Sequence, residues 1–167
     1  GVNAFVSISR GCDKFCTFCI VPFTRGRERS RSNESIIREV QDAVKNGFAE
    51  ITLLGQNVNS YRTEEGKFPH LLEGVALVPG VKRIRYMSPH PQDMDDHLLQ
   101  VMSEHENICK YVHLPLQAGS DRILNRMNRT YTKTEFLNLV DTIREYLPDC
   151  SISTDIIVGF PGETNAE

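Results

Sequence analysis

Apolar and polar positions alternate between two periods along this chain, and the alternation itself predicts the architecture. A short apolar run, Phe5 to Ser9, reads as a strand. After it, Ile36, Ile37, Val40 and Val44 recur every three or four residues, which predicts a helix capped by Ser32 or Asn33 and stopped at Gly47. The same couplet repeats. Ile51 to Leu54 reads as a strand, followed by a short helix carrying Leu71, Leu72, Val75 and Ala76 and closed by Pro79-Gly80. Arg83 to Met87 reads as a strand, then a helix bearing Leu98, Leu99 and Met102 that Asp95 can cap. Tyr111 to Leu114 is the fourth strand, and Ser120 can cap Asp121 to Met127 behind it. Thr132 to Glu135 has the form of a capping box before Phe136, Leu139, Val140 and Ile143, a helix that Pro148 stops. Ser151 to Val158 is the fifth strand.

Strands that alternate with helices predict an α/β fold with a parallel sheet and right-handed crossovers. Between an open doubly wound sheet and a partial (β/α) barrel, the pattern favours the barrel. The segments rich in Gly, Pro and side-chain amides ("RGCDKFC", "GQNVN", "SPHPQ", "PLQAGS", "GFPGE") each follow a strand, and a barrel brings such loops to one rim. The expected architecture is about five of six βα units within one domain spanning residues 1–167. A chain of 167 residues is long enough to bury a core without staples.

Charge and cysteine usage narrow the function. Nineteen basic and 22 acidic side chains give a net charge of −3, so bulk attraction predicts no polyanionic partner and any nucleic-acid contact must be local. No apolar run reaches the roughly 18 residues that would cross a bilayer, so no membrane partner is expected. Five cysteines with no exported pattern argue against a disulfide framework and for a reducing, cytoplasmic setting. The chain opens Gly-Val-Asn without an initiator Met, which reads as a piece of a longer protein.

Candidate chemistry concentrates in "SRGCDKFCTFCIVPFTRGRERSR", Ser9 to Arg31. Cys12, Cys16 and Cys19 have the spacing Cys-x3-Cys-x2-Cys. A structural zinc site wants four ligands, and no second knuckle is present; Cys109, Cys150 or a histidine would have to complete it. A cuboidal iron–sulfur cluster takes one thiolate per iron, so three cysteines leave one iron open to a ligand that is not protein. Zinc, three structural cysteines and an open-cornered cluster all remain compatible with the spacing alone. Arg25, Arg27, Arg29 and Arg31 follow at every second position; they read either as a solvated charge run or as a strip of phosphate contacts that positions RNA.

This spacing, with Phe18 immediately before Cys19 and the loop placed after the first strand, resembles the radical S-adenosylmethionine enzymes. "SISRGCDKFCTFCIVPFTRGRERSRS", "ITLLGQNVNSY", "YVHLPLQAGSDRILNRMNRTYT" and "ISTDIIVGFPGET" together resemble the methylthiotransferase family within it, and "GQNVNSY" resembles its tRNA branch. The resemblance implies a [4Fe-4S] cluster on Cys12, Cys16 and Cys19 whose open iron is chelated by S-adenosylmethionine. Reductive cleavage would then give a 5′-deoxyadenosyl radical. It implies transfer of a methylthio group to C2 of an N6-isopentenyladenosine beside the anticodon. A tRNA anticodon loop and an electron donor are the implied partners. Cofactor contacts are expected from Phe18, Gly55, Gln56, Asn57, Ser88, Gln117, Ser120, Asp155 and Gly159, with Gly55-Gln56-Asn57 standing where the superfamily usually has Gly-Gly-Glu. RNA contacts are expected from Arg25, Arg27, Arg29 and Arg31. Full-length members resemble a three-part arrangement in which an amino-terminal domain carries a second cluster and a small carboxyl-terminal domain binds RNA; neither flank is expected within these residues. Two rivals stay open: a sister branch acting on an aspartate of a ribosomal protein, and a non-catalytic metal-knuckle module that binds RNA.

Overall fold

A computed structural model describes residues 1–167. Three strands, β1 (Asn3–Ser7), β2 (Glu50–Leu54) and β3 (Arg83–Tyr86), form a parallel sheet in chain order, with Ala4 opposite Ile51 and Ile51 opposite Ile84. Two further strands, β4 (Tyr111–His113) and β5 (Ser151–Ser153), pair in parallel with each other. A parallel bridge between Ile84 and Ile108, with Cys109 N donating to Ile84 O at 3.0 Å, links the two ladders. The five strands therefore follow one another in sequence order and are left open between β1 and β5. This is the partial barrel that the period predicts.

The helices form for the reasons legible in the sequence. They are α1 (Val21–Arg25), α2 (Asn33–Lys45), α3 (Phe68–Ala76), α4 (Asp96–Glu104), α5 (Asp121–Arg126) and α6 (Lys133–Tyr146). Ser32 caps α2, Asp95 caps α4, and Thr132 with Glu135 closes a reciprocal capping box on α6. The strand residues that face the helices, Val6, Ile51, Leu53, Ile84, Tyr86 and Val112, are buried, together with Ile36, Val40, Leu71, Leu98, Leu99 and Ile143. The opposite face of β1 exposes Phe5 at 65%. The core thus lies between sheet and helices, and the concave face stays accessible. No helix is long and apolar enough to cross a membrane.

Several elements differ from expectation, the first strand among them, which spans Asn3–Ser7 rather than Phe5–Ser9. The fifth strand ends at Ser153 rather than Val158, because Thr154 Oγ1 takes the Leu116 N–H at 2.9 Å and Gln117 turns to φ 75°; pairing resumes as a single bridge between Gln117 and Ile156. Residues 21–25 form a helical turn after the cysteines, with Pro22 near its start. Two ladders of two residues each, Ser9–Arg10 against Arg29–Ser30 and Arg62–Thr63 against Gly66–Lys67, are too short to leave a periodic signal.

Candidate functional site at the rim of the sheet

The cysteine loop leaves β1 through a left-handed turn at Gly11, φ 85°. Only glycine fits there: a Cβ would lie 2.5 Å from the Gly26 carbonyl oxygen and collide with that of Arg27. The returning chain is close because Cys12 N donates to Gly26 O at 3.2 Å and Arg31 N to Ile8 O at 2.9 Å. Gln56, at the end of β2, accepts the Gly11 N–H through Oε1 at 2.6 Å.

The far side of the loop is held by residues 126–128. Thr17 donates its N–H to Met127 O at 3.0 Å and its hydroxyl to Arg126 O at 3.0 Å. Asn128 Nδ2 donates to Lys14 O and Phe15 O at 3.2 and 3.0 Å. Lys14 bonds Asp93 at 2.9 Å and Gln92 Oε1 at 2.9 Å, which ties the loop to the segment after β3. Asn128 and the "SPHPQD" stretch thus have an anchoring role that strand-end reasoning did not assign.

A cavity of about 250 Å³ opens beside this loop. Its wall carries Cys12, Cys16, Phe18 and Cys19 together with Gln56, Asn57, Ser88, Gln117 and Asp155. Nine of the twelve expected cluster and cofactor residues thereby meet at one place although they come from five loops. Lys14, His90, His113 and Arg129 line it too and were not anticipated. The thiols share this wall without already converging into a set of three metal ligands. Cys109 and Cys150 lie elsewhere, so neither stands ready as a fourth thiol.

Not every expected residue is brought in. Ser120 caps α5, accepting from Ile123 N, and donates to Glu167 Oε1 at 2.7 Å, away from the cavity. The Gly159 N–H is taken by Glu163 Oε2 and Gly159 does not line the cavity. Gly55 acts through its backbone instead: a Cβ there would stand 2.6 Å from Ser9 Oγ. The arginines do not form one strip. Arg27 is paired with Asp13 at 2.6 Å and Arg31 with Glu39 at 2.7 Å, while Arg25 ends α1 and Arg29 lies in the short ladder.

Electrostatics sort the cavity groups. Asn57 is 3% exposed; its Nδ2 donates to Asp93 Oδ2 at 2.7 Å, and its Oδ1 has no partner. A buried acceptor without a donor is unfavourable by about 1–3 kcal/mol, so this atom asks for a ligand N–H or O–H. Arg129 is 9% exposed and its guanidinium donates to Cys16 Sγ at 3.3 Å, Pro115 O at 2.9 Å and Tyr131 Oη at 2.8 Å. Burial pushes the Cys12 thiol up. Burial, followed by the nearby Arg129 and Lys14 charges, holds His90 down at about 3, so it is neutral at pH 7 and accepts the Gln92 N–H at Nδ1. His113 sits between Ser153 Oγ at 2.9 Å and Asp155 Oδ2 at 3.2 Å, which fixes its ring.

These residues fit an iron–sulfur cluster with an organic cofactor. Three thiols line one cavity, a guanidinium is aimed at a thiol sulfur, and another lining residue, Asn57, has an unsatisfied amide oxygen. All four non-glycine residues with positive φ, Phe15, Ser88, Gln117 and Asn128, lie in the cysteine loop, on the cavity wall or at the loop's anchor. Such concentration of backbone strain accompanies functional sites.

Comparison with known proteins agrees with this site. The model of the Radical SAM superfamily matches residues 6–167. A tRNA-2-methylthio-N(6)-dimethylallyladenosine synthase of Acetivibrio thermocellus is 52% identical over 170 residues, covering 100% of this chain and 35% of that protein. A protein of the same name from Porphyromonas gingivalis is 53% identical, covering 99% of this chain and 37% of its own length. The chain thus spans little more than a third of these relatives. Among solved structures, the radical S-adenosylmethionine methyltransferase TsrM of Kitasatospora setae, with tryptophan and a SAM analogue bound, aligns over 98% of this chain and 32% of its own with TM-score 0.74 at 18% identity. The cobalamin-dependent radical enzyme OxsB aligns over 92% of this chain and 23% of its own with TM-score 0.72 at 14% identity. At such identities the likeness concerns the fold.

Proposed function

The chain belongs to the Radical SAM superfamily, and from that premise we propose that it is the core of a cytoplasmic tRNA methylthiotransferase, acting on C2 of an N6-isopentenyladenosine beside the anticodon. The observation that carries the reading is the meeting of three cysteines with Asn57, Ser88, Gln117 and Asp155 around one cavity, in a chain about half identical to relatives of that name. A C2–H of adenine is neither acidic nor activated, so no side-chain base on this wall would remove it usefully. When bound, a [4Fe-4S] cluster with S-adenosylmethionine and an electron donor supplies the one-electron chemistry that such a bond requires.

The protein's part is holding, orienting and shielding. Cys12, Cys16 and Cys19 would hold the cluster through one thiolate per iron. Phe18, on the same cavity wall, would pack against the bound cofactor. Asn57 Oδ1 would accept from the cofactor's ammonium, and Asp93, which takes the Asn57 amide N–H and pairs with Lys14, would hold that amide in place. Ser88, Gln117 and Asp155 accept or donate to the remaining polar groups, and His113 keeps Asp155 oriented. Arg129 neutralises charge on the Cys16 sulfur. Arg25 and Arg29, without carboxylate partners, are the members of the arginine run available for RNA phosphates. We further propose that these residues form a single radical SAM core domain. A second cluster and a separate RNA-binding domain would be carried by parts of the longer protein.

Anaerobic reconstitution with iron and sulfide tests the reading. About four irons per chain, a visible charge-transfer band, and 5′-deoxyadenosine after reduction are expected. Tight zinc with no cofactor cleavage would overturn it in favour of a metal-knuckle module. Incubating the full-length protein with tRNA and with ribosomal protein decides the substrate.

A further inference from the structure

The short ladder behind the cysteine loop sets Arg10 directly opposite Arg29. Like charges directly opposite destabilise an antiparallel pair, and proteins usually offset them with a carboxylate. Here there is none: both residues are exposed, and neither has an ion-pair partner. Their neighbours are treated differently. Lys14 has Asp93, Arg27 has Asp13 in a two-bond fork, and Arg31 has Glu39. Ser9 and Ser30, the adjacent pair of the same ladder, alternate to the other side, where Ser9 is buried. The two guanidinium groups are therefore left side by side on the outer face.

Exposed aromatic surface adjoins the same strand, because Arg27, two residues before Arg29, lies over the Phe15 ring at 6.0 Å. Phe23 is 77% exposed and Ile20 65%, on and just before α1, and Phe15 meets Phe23 edge-on with ring centroids 6.3 Å apart. Paired free guanidinium groups complement phosphate, and exposed aromatic rings beside them complement unstacked bases. An acidic protein segment would match the arginines but gain nothing specific from the rings.

We infer that Arg10 and Arg29 clamp the phosphate backbone of a single-stranded RNA segment, with the exposed Phe23 as its stacking shelf. This rests on the RNA reading above and deepens it. It replaces the strip of four arginines by a tertiary pair, one member of which lies before the cysteines and outside the periodic run.

The test is fluorescence anisotropy with a stem-loop RNA carrying unpaired adenosines, titrated across salt concentrations. Two single-strand phosphate contacts contribute about 0.7 each to the slope of log affinity on log salt. Arg10→Gln with Arg29→Gln should make the slope shallower by about 1.4 and weaken binding about 25-fold at 0.1 M salt. Arg38→Gln with Arg144→Gln removes the same charge from α2 and α6 and should leave the slope unchanged. Arg10→Lys with Arg29→Lys keeps the slope and loses affinity only several-fold, which covers the case in which the glutamine pair misfolds by circular dichroism. If the unaltered protein shows no salt-dependent RNA binding, the RNA reading itself fails. If it binds RNA and the Arg10/Arg29 variant keeps its slope, the clamp alone is wrong. An equal fall for the Arg38/Arg144 variant would reduce the effect to bulk charge and overturn the clamp. So would Arg10- and Arg29-dependent binding of polyglutamate without any such dependence for RNA.

Discussion

Gly11→Ala is the sharpest single perturbation of the cysteine loop. A left-handed backbone at an L-residue is unfavourable by about 1–2 kcal/mol. The larger part comes from space: the new Cβ meets two carbonyl oxygens of the returning chain, those of Gly26 and Arg27, and backbone cannot swing aside as a flexible side chain would. Moving residue 11 away breaks the Gly11 N–H to Gln56 bond and the Cys12 N–H to Gly26 bond. Each such bond contributes about 0.5–1.5 kcal/mol net. The sum is a loss of about 2–5 kcal/mol. Urea unfolding measures it, and iron content after reconstitution reads whether the thiols are still presented together; both should fall. A variant within about 1 kcal/mol of the parent that still takes up its full iron would refute the reasoning, because the turn would then be neither tight nor necessary.

Three further substitutions follow from the cavity wall. Asn57→Leu removes the unsatisfied Oδ1 and should weaken S-adenosylmethionine binding by about tenfold, the equivalent of one hydrogen bond to a charged group, in calorimetric titration of reconstituted protein; unchanged affinity would refute the assigned contact. Arg129→Met breaks three buried contacts and should cost about 3 kcal/mol in urea unfolding, with Arg129→Lys recovering less than half because an ammonium cannot serve three acceptors in a plane; a loss below about 1 kcal/mol would show the guanidinium is not structural. His90 has a folded value near 3, below its ordinary 6.5, so its contribution to stability is fully present above pH 6.5 and is lost as pH falls toward 3. Within that window unfolding free energy should drop by about 1.4 kcal/mol per pH unit more in the parent than in His90→Gln, by denaturant titration at several pH values; parallel profiles would mean that His90 is not held neutral.

The sequence revealed the elements whose causes are local. The caps at Ser32 and Asp95 and the box at Thr132–Glu135 are set by side chains within a turn of the groups they satisfy, and the helix faces by a period of three and four. The cavity wall was legible for the same kind of reason: a parallel sheet places every strand-end loop on one rim, so Asn57, Ser88, Gln117 and Asp155 could be named before their neighbours were known. What the pattern could not carry was the identity of tertiary partners. Ser120 and Gly159 carry the right chemistry in the right loops, yet their hydrogen-bonding groups are already taken by Glu167 and Glu163, many residues or one turn away. Arg27 and Arg31 look like free cations in the one-dimensional pattern and are neutralised by carboxylates that the pattern cannot place beside them. Arg129 and Asn128 were missed because nothing in "NRMNRTYT" indicates that this turn reaches back across more than a hundred residues to the cysteine loop.

That long reach explains how the domain itself holds a loop with three thiols in place. Its anchors are at Gly11, Lys14, Phe15 and Thr17, held by Gln56, Asp93, Gln92, Asn128 and the last carbonyls of α5. The cysteines fall between or beside those anchors, at positions 12, 16 and 19, where the remaining backbone bonds are the two from Cys12 to Gly26 and Cys19 to Cys16. Only a few residues separate each thiol from a fixed point, so little chain entropy remains to be lost when the sulfurs are drawn together. The work is divided between the anchors, which place the loop, and the 33-residue apolar core to which they tie it. The same division accounts for the strain: Phe15, Ser88, Gln117 and Asn128 hold uncommon backbone angles around the cavity, and the packed helices behind the sheet provide the free energy that sustains them.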